Sequence, residues 1–242
     1  MLVARGNFAQ ALAAYQAALA IAERLAQADP GNAVWQRGLS VSHNKIGDVL
    51  RAQGNLAQAL AAYQAALAIR ERLAQADPGN AVWQRDPSVS QERIGDVLVA
   101  QGNLIDALAA YEVSLAIRER LAQADPGNAG WQRDLSVAQE RIGSVFVKQG
   151  NLTGALAAFQ SSHNIFGRLA QADPGNAVWQ ADLAASYGKL GQLHIALGDT
   201  SEALRLFKSG RAIVAPLAEQ SGHQVWRSNL ESFDQHIAAL EG

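Results

Sequence analysis

Five histidines are the side chains in this 242-residue sequence most suited to metal binding or proton transfer, and their spacing argues against both. His43, His163, His194, His223 and His236 include no pair four residues apart, the step that sets two ligands on one helix face. Cysteine is absent, which excludes disulfides, thiolate metal sites and cysteine nucleophiles. Serine occurs without a nucleophile elbow, glycine without a phosphate-binding pattern, and no cleft of paired carboxylates is visible. We therefore expect no cofactor, no metal and no enzyme. Lys and Arg number 20 against 22 Asp and Glu, and the two signs are interspersed, which is unlike the basic footprint of a nucleic-acid binder.

What organises these residues is a unit of 48, written almost five times. Asp-Pro-Gly-Asn begins at Asp29, Asp77, Asp125 and Asp173, and tryptophan follows at Trp35, Trp83, Trp131 and Trp179. Gly-Asn begins at Gly6, Gly54, Gly102 and Gly150, with Gly198-Asp199 in phase. A period in this range marks a solenoid whose units bury their apolar faces only against neighbours. The stretch from Ala14 to Arg37 matches Ala62 to Arg85 except where Ala22 faces Arg70, so the duplication is recent.

Within one unit, Asn55 caps a helix starting near Leu56, with Leu56, Leu60, Tyr63, Leu67 and Leu73 at helical spacing. Asp77-Pro78-Gly79-Asn80 ends it, and Pro then Gly in second and third place suit a type II turn. A second helix carries Trp83, Val89, Ile94, Val97 and Leu98 and ends at Gln101-Gly102. Each unit is thus a pair of antiparallel helices of about twenty residues each. Pro87 stands where other units have Leu39, Leu135 and Leu183, so we expect a kink there, or a fresh helix start capped by Asp86. The tryptophans recur in phase with the turns and read as packing against Ile69 or Leu73 rather than as binding hot spots.

Ile46-Gly47, Gly54, Ala59, Tyr63 and Ala66 resemble the tetratricopeptide repeat, a 34-residue helix-turn-helix unit. Later copies read Ile94-Gly95, Gly102, Ala107, Tyr111, Ser114; Ile142-Gly143, Gly150, Ala155, Phe159, Ser162; and Leu190-Gly191, Gly198, Ala203, Phe207, Gly210. Two features depart from that family. Its tryptophan is replaced by His43, Gln91, Gln139 and Tyr187, and its closing proline is missing until Pro216. The added fourteen residues per unit equal about four helical turns, two for each helix, which leaves the faces unrotated. The chain is thus similar to the long-helix bacterial variety of these repeats.

The resemblance implies an all-α fold, a right-handed superhelical solenoid of antiparallel helix hairpins. Its divisions would be a partial repeat over 1–32, repeats over 33–80, 81–128, 129–176 and 177–222, and a C-terminal capping helix over 223–242. It implies a non-catalytic scaffold that binds a protein or extended peptide on a concave groove. Carrying over the family's groove positions gives Asn44, Asp48 and Arg51; Glu92, Asp96 and Val99; Glu140, Ser144 and Val147; and Gly188, Gln192 and Ile195, flanked by Lys45, Arg93, Arg141 and Lys189. Asp48, Glu92, Asp96 and Glu140 lend this groove an acidic bias that suits a basic segment. A plainer reading makes them a solvated face of local charge pairs. The family's Lys/Asn set for a C-terminal carboxylate is not found, since Asn44 is followed by Asp48 and Glu92.

The sequence opens in mid-repeat, either as a fragment of a longer array or at a true start, and in both cases we expect the helix beginning at Phe8 to lack its intra-repeat partner. Phe8, Leu12, Tyr15 and Leu19 would then be partly exposed and could join copies into homo-oligomers, an alternative function of self-assembly. Trp226, Leu230, Phe233, Ile237 and Leu240 form the buried stripe of a terminal cap. No signal peptide or membrane-length apolar run is seen, and the expected location is cytoplasmic, with neither membrane nor nucleic acid as partner.

Overall fold

The computed structural model describes residues 7–221 and 223–242. Among the described residues there are ten α-helices and no strand: α1 (Phe8–Ala28), α2 (Ala33–Ala52), α3 (Leu56–Ala76), α4 (Ala81–Ala100), α5 (Leu104–Ala124), α6 (Ala129–Lys148), α7 (Leu152–Ala172), α8 (Ala177–Ala196), α9 (Thr200–Ser221) and α10 (Gln224–Glu241). They form two compact units that meet in sequence at Leu121 and Ala122, each considered below by itself. No described helix is long and apolar enough to cross a membrane.

Both kinds of joint follow from their residues. At the Gly-Asn joints the glycine is the left-handed residue after the helix, with φ of 79° at Gly54 and 76° at Gly150. Gly54 N–H donates to Arg51 O at 3.0 Å and Asn55 N–H to Leu50 O at 2.8 Å, the paired closure that satisfies the last carbonyls of α2. The same pair recurs after α4, α6 and α8. At the other joint, Asn32, Asn80, Asn128 and Asn176 each accept from the N–H of the tryptophan three residues on, capping α2, α4, α6 and α8. Asn80 N–H closes the turn onto Asp77 O at 3.2 Å. Here the type II expectation fails. That turn needs a positive φ at its third residue, and Gly31, Gly79, Gly127 and Gly175 have none. Instead the Asp77 side chain accepts Gly79 N–H at 3.2 Å, which holds the turn in a right-handed form.

The core of each unit is built on one contact. A Cβ on Gly47 would stand 2.6 Å from the Tyr63 ring, and Gly95 meets Tyr111, Gly143 Phe159 and Gly191 Phe207 in the same way. Each glycine removes the side chain that would keep an aromatic off the facing helix. In the first unit Tyr63 joins Ile46, Leu50, Ala59, Ile94, Val97 and Ala110 in a buried cluster. In the second, Phe159 packs with Ala155, Leu190, Leu193 and Leu206, and Phe207 with Ala184, Ala203, Val214 and Phe233. Phe233, Trp226, Leu230, Ile237 and Leu240 thus bring α10 onto α9. Trp179 packs on Ile165, Phe166 and Leu169, positions in phase with Ile69 and Leu73, which is a structural role.

Pro87 does not break its helix. α4 runs unbroken from Ala81 to Ala100 with the proline inside, so there is no fresh start and Asp86 is no cap. The Asp86 carboxylate is engaged elsewhere, accepting Arg37 Nε at 2.7 Å, while its carbonyl accepts Arg70 Nη1 at 3.1 Å. The residues beside the proline are thereby tied to both α2 and α3, which hold the helix through the lost backbone bond.

Candidate functional site

Polar side chains inside the repeats set which of the candidate groove positions remain available. Arg70 is 5% exposed in α3. Its guanidinium donates to Ser40 Oγ at 3.2 Å and to Ser90 Oγ at 3.0 Å. Burial pushes its pKa down, and the Asp86 charge opposes that shift. The fourth partner is Asn44, whose amide oxygen, in the orientation that satisfies the network, accepts from Arg70 at 2.8 and 2.9 Å. One repeat on, buried Arg118 donates to Ser88 Oγ at 3.3 Å and pairs with Glu92. Asn44 and Glu92, at one phase of the repeat, thus serve to satisfy buried cations.

The other carboxylates are also engaged. Asp48 accepts Tyr63 OH at 2.9 Å and pairs with Arg93. Burial first, and the Asp48 charge second, push the Tyr63 hydroxyl up to about 12. Asp96 accepts Tyr111 OH at 2.7 Å. Glu140 accepts Lys189 Nζ at 2.7 Å. Arg93 and Lys189 further lie 5.8 and 5.9 Å from the ring centroids of Tyr63 and Phe159, close enough for cation–π attraction. The acidic bias of the sequence is therefore balanced by bases, and the pairs join Asp48 to Arg93 and Glu140 to Lys189 across neighbouring repeats rather than along one helix turn.

The remaining positions divide between the units. Arg51 is exposed on the last turn of α2 and Val99 is half-buried on α4. In the second unit, Ser144 and Val147 of α6 and Gln192 of α8 line one open cleft of about 300 Å³ with Lys148, Lys189 and Phe159. Val147 is 40% exposed and Ile195 39%. An adjoining cleft of about 260 Å³ shares Lys189 and Gln192 and continues past Gly188 to Asn229 and Phe233. Ser144 donates to Glu140 O at 2.8 Å, so its oxygen retains accepting capacity toward the cleft.

On α1, Leu12, Tyr15 and Leu19 are half-buried against the first unit's core cluster, and Phe8 is half-buried as well. Among the described residues no group of three or more His, Asp or Glu could hold a metal ion. Sequence reasoning passed over Gln36, Gln84, Gln132 and Gln180. Their side-chain amides donate back across the Pro-Gly turn to Ala26, Ala74, Ala122 and Ala170 carbonyls at 2.6 to 3.2 Å, bracing the hairpins. Their fixed phase beside each tryptophan was the signal.

Two profiles described as tetratricopeptide repeat match the sequence, over residues 39–120 and 1–30. No curated protein matches it. Among solved structures, BtubC (BKLC) from P. vanneervenii is similar at 17% identity and a TM-score of 0.74, over 96% of this chain and 82% of that one. A putative kinesin light chain from Podosopora anserina with nearly identical TPR-like repeats is similar at 16% identity and a TM-score of 0.63, over 91% of this chain and 92% of that one. MamA is similar at 16% identity and a TM-score of 0.53, over 90% of this chain and 95% of that one. At these identities the likeness is one of fold.

Proposed function

We propose that this chain, which tetratricopeptide repeat models match over residues 39–120 and 1–30, is a non-catalytic protein-interaction scaffold that presents a groove to an extended peptide segment. The observation that carries this reading is the pair of adjoining clefts around Lys189 and Gln192, because groove positions carried over from the family (Ser144, Val147 and Gln192) line one of them. The lining suits a peptide. Val147 and Phe159 offer apolar contact, Ser144 and Gln192 offer donors and acceptors, and Lys148 and Lys189 add positive charge. Glu140 balances Lys189, so shape and apolar contact weigh more here than net charge. The groove bears no special preference for a basic segment on this account, since the carboxylates behind that idea are held in internal pairs.

Selection from a random dodecapeptide display library tests the reading. Peptides enriched on the wild type should lose at least tenfold in affinity for Val147→Glu and Gln192→Arg variants. Selected peptides that bind both variants as tightly as wild type would place recognition on another surface.

A further inference from the structure

In the first unit α1 and α3 are near-copies that differ in what covers them. From Ala14 to Ala28 the residues of α1 are those of α3 from Ala62 to Ala76, with Ala22 in place of Arg70 as the one change. α1 packs on α2 as α3 packs on α4, and α3 has α2 along its other side as well. That second contact runs the length of the helix. Ala33 and Gln36 share a cleft with Ile69 and Leu73, Ser40 and Asn44 meet Arg70, and Gly47 receives the Tyr63 ring. Ile69 is thereby only 6% exposed and Leu73 7%, whereas their twins on α1 are open, Ile21 at 51% and Leu25 at 40%. Ala66 is buried and its twin Ala18 exposed.

The open face is therefore not the one that carries Leu12 and Leu19, which lie against the core cluster. It is the stripe of Ala18, Ile21 and Leu25, and its covered twin shows what kind of element fits it. That element is an antiparallel helix with a glycine where the tyrosine ring lands. We propose that the partner of α1 is such a helix, of the α2 pattern, laid along Ala18, Ile21 and Leu25 with its glycine opposite Tyr15.

The single change defines this partner further. Arg70 meets Ser40 and Asn44, and Arg118, in phase with it, meets Ser88 and Glu92. Where the same position is Val214, the phases of Ser40 and Asn44 hold Ala184 and Gly188, and Ala184 packs in one buried cluster with Val214. The residue facing the position thus follows its polarity. Ala22 is small and uncharged, so an asparagine or glutamate brought against it would lose its water without gaining a cation. The partner helix accordingly carries small apolar residues there. The terminal helix α10 of a second copy does not meet the description, because α10 contains no glycine to receive Tyr15.

Fluorescence anisotropy of the whole protein with labelled synthetic peptides of residues 32–55 tests this. The Asn44→Ala peptide should bind saturably, and at least as tightly as the peptide of unaltered sequence. Adding Gly47→Leu to it should weaken binding about tenfold or more, since the side chain closes the slot for the ring. The protein variant Ile21→Glu/Leu25→Glu should lose about as much, with the circular dichroism spectrum of wild type because both side chains lie at the surface. Val147→Glu should leave this binding unchanged, which separates it from the α6–α8 cleft. The proposal is overturned by the absence of saturable binding up to roughly 1 mM peptide. It is equally overturned by binding that tolerates Gly47→Leu or Ile21→Glu/Leu25→Glu, or by binding lost on Val147→Glu, which would move the peptide to the groove. Sedimentation equilibrium covers the remaining occupant. A wild type that self-associates, binds no peptide and is dispersed by Ile21→Glu/Leu25→Glu would give the face to a second copy and overturn the proposal too.

Discussion

The ring of Tyr63 lies so close over Gly47 that a single added methyl would stand 2.6 Å from its Cε1. Real Cβ contacts are not that short, so a side chain at Gly47 must displace a fully buried ring. Three glycines of this stretch separate three physical reasons for the residue. Gly47→Ala should destabilise by about 2 kcal/mol through overpacking. Gly54→Ala meets no atom within 4 Å but must hold a φ of 79°, and should cost about 1 kcal/mol. Gly38 lies within α2 with nothing near its missing Cβ, so Gly38→Ala should stabilise by about 0.5 to 1 kcal/mol. Urea denaturation of the three variants checks the order, and a Gly47→Ala protein as stable as wild type would refute the packing account.

Arg118 and Glu92 offer a second test. The position held by Arg70 and Arg118 is taken by Phe166 and Val214 in the later repeats, so the fold accepts either a buried cation or a buried hydrocarbon there. What differs is the acid. Glu92 pairs with Arg118, whereas Glu140, in phase with it, pairs with Lys189 instead. Arg118→Phe should therefore cost about 3 kcal/mol, because the carboxylate beside it stays three-quarters or more buried with its Arg118 partner gone. Adding Glu92→Gln should recover a good part of that loss. Additive effects of the two changes in a double-mutant cycle would show that the pair is not coupled.

The joints and the glycine–aromatic contacts were legible because they depend on residues close in sequence or fixed in phase: Asn32 caps its own helix, and Gly47 and Tyr63 are sixteen positions apart. The turn at Gly79 was not, since Pro-Gly is compatible with two turn types and the choice was made by the Asp77 side chain. The fresh helix start offered at Pro87 misled for a related reason. Its local rule is to end a helix, and contacts from Arg37 and Arg70 on other helices overrode it. The charges at the candidate groove positions needed still more. Asp48 finds Arg93 and Glu140 finds Lys189 only when one repeat is laid on the next, so a sequence scanned for pairs on a single helix shows unbalanced acids.

His163 makes a prediction about acid. It stands on α7 where Leu67 and Leu115 occupy the same phase in earlier repeats. Its Nδ1 lies 2.8 Å from Ser186 Oγ, and Tyr187 meets the ring edge-on at 4.5 Å. Burial pushes the imidazole below its ordinary value, and the positive charge of Arg205 lowers it further. On falling pH the unfolded chain takes up a proton first, near pH 6.5, while the folded protein resists. The unfolded state binds more protons in that window, so stability is full above about pH 6.5 and is lost as the pH drops below it. His43, lowered by burial against the raising effect of Glu23, acts with the same sign. His163→Leu removes one of the two contributions and restores the side chain of the earlier repeats. Chemical denaturation at pH 7.5 and pH 5 should show a smaller loss for the variant than for wild type, with Ser186 still donating to Leu183 O at 2.7 Å. An identical loss in both proteins would place the acid sensitivity elsewhere.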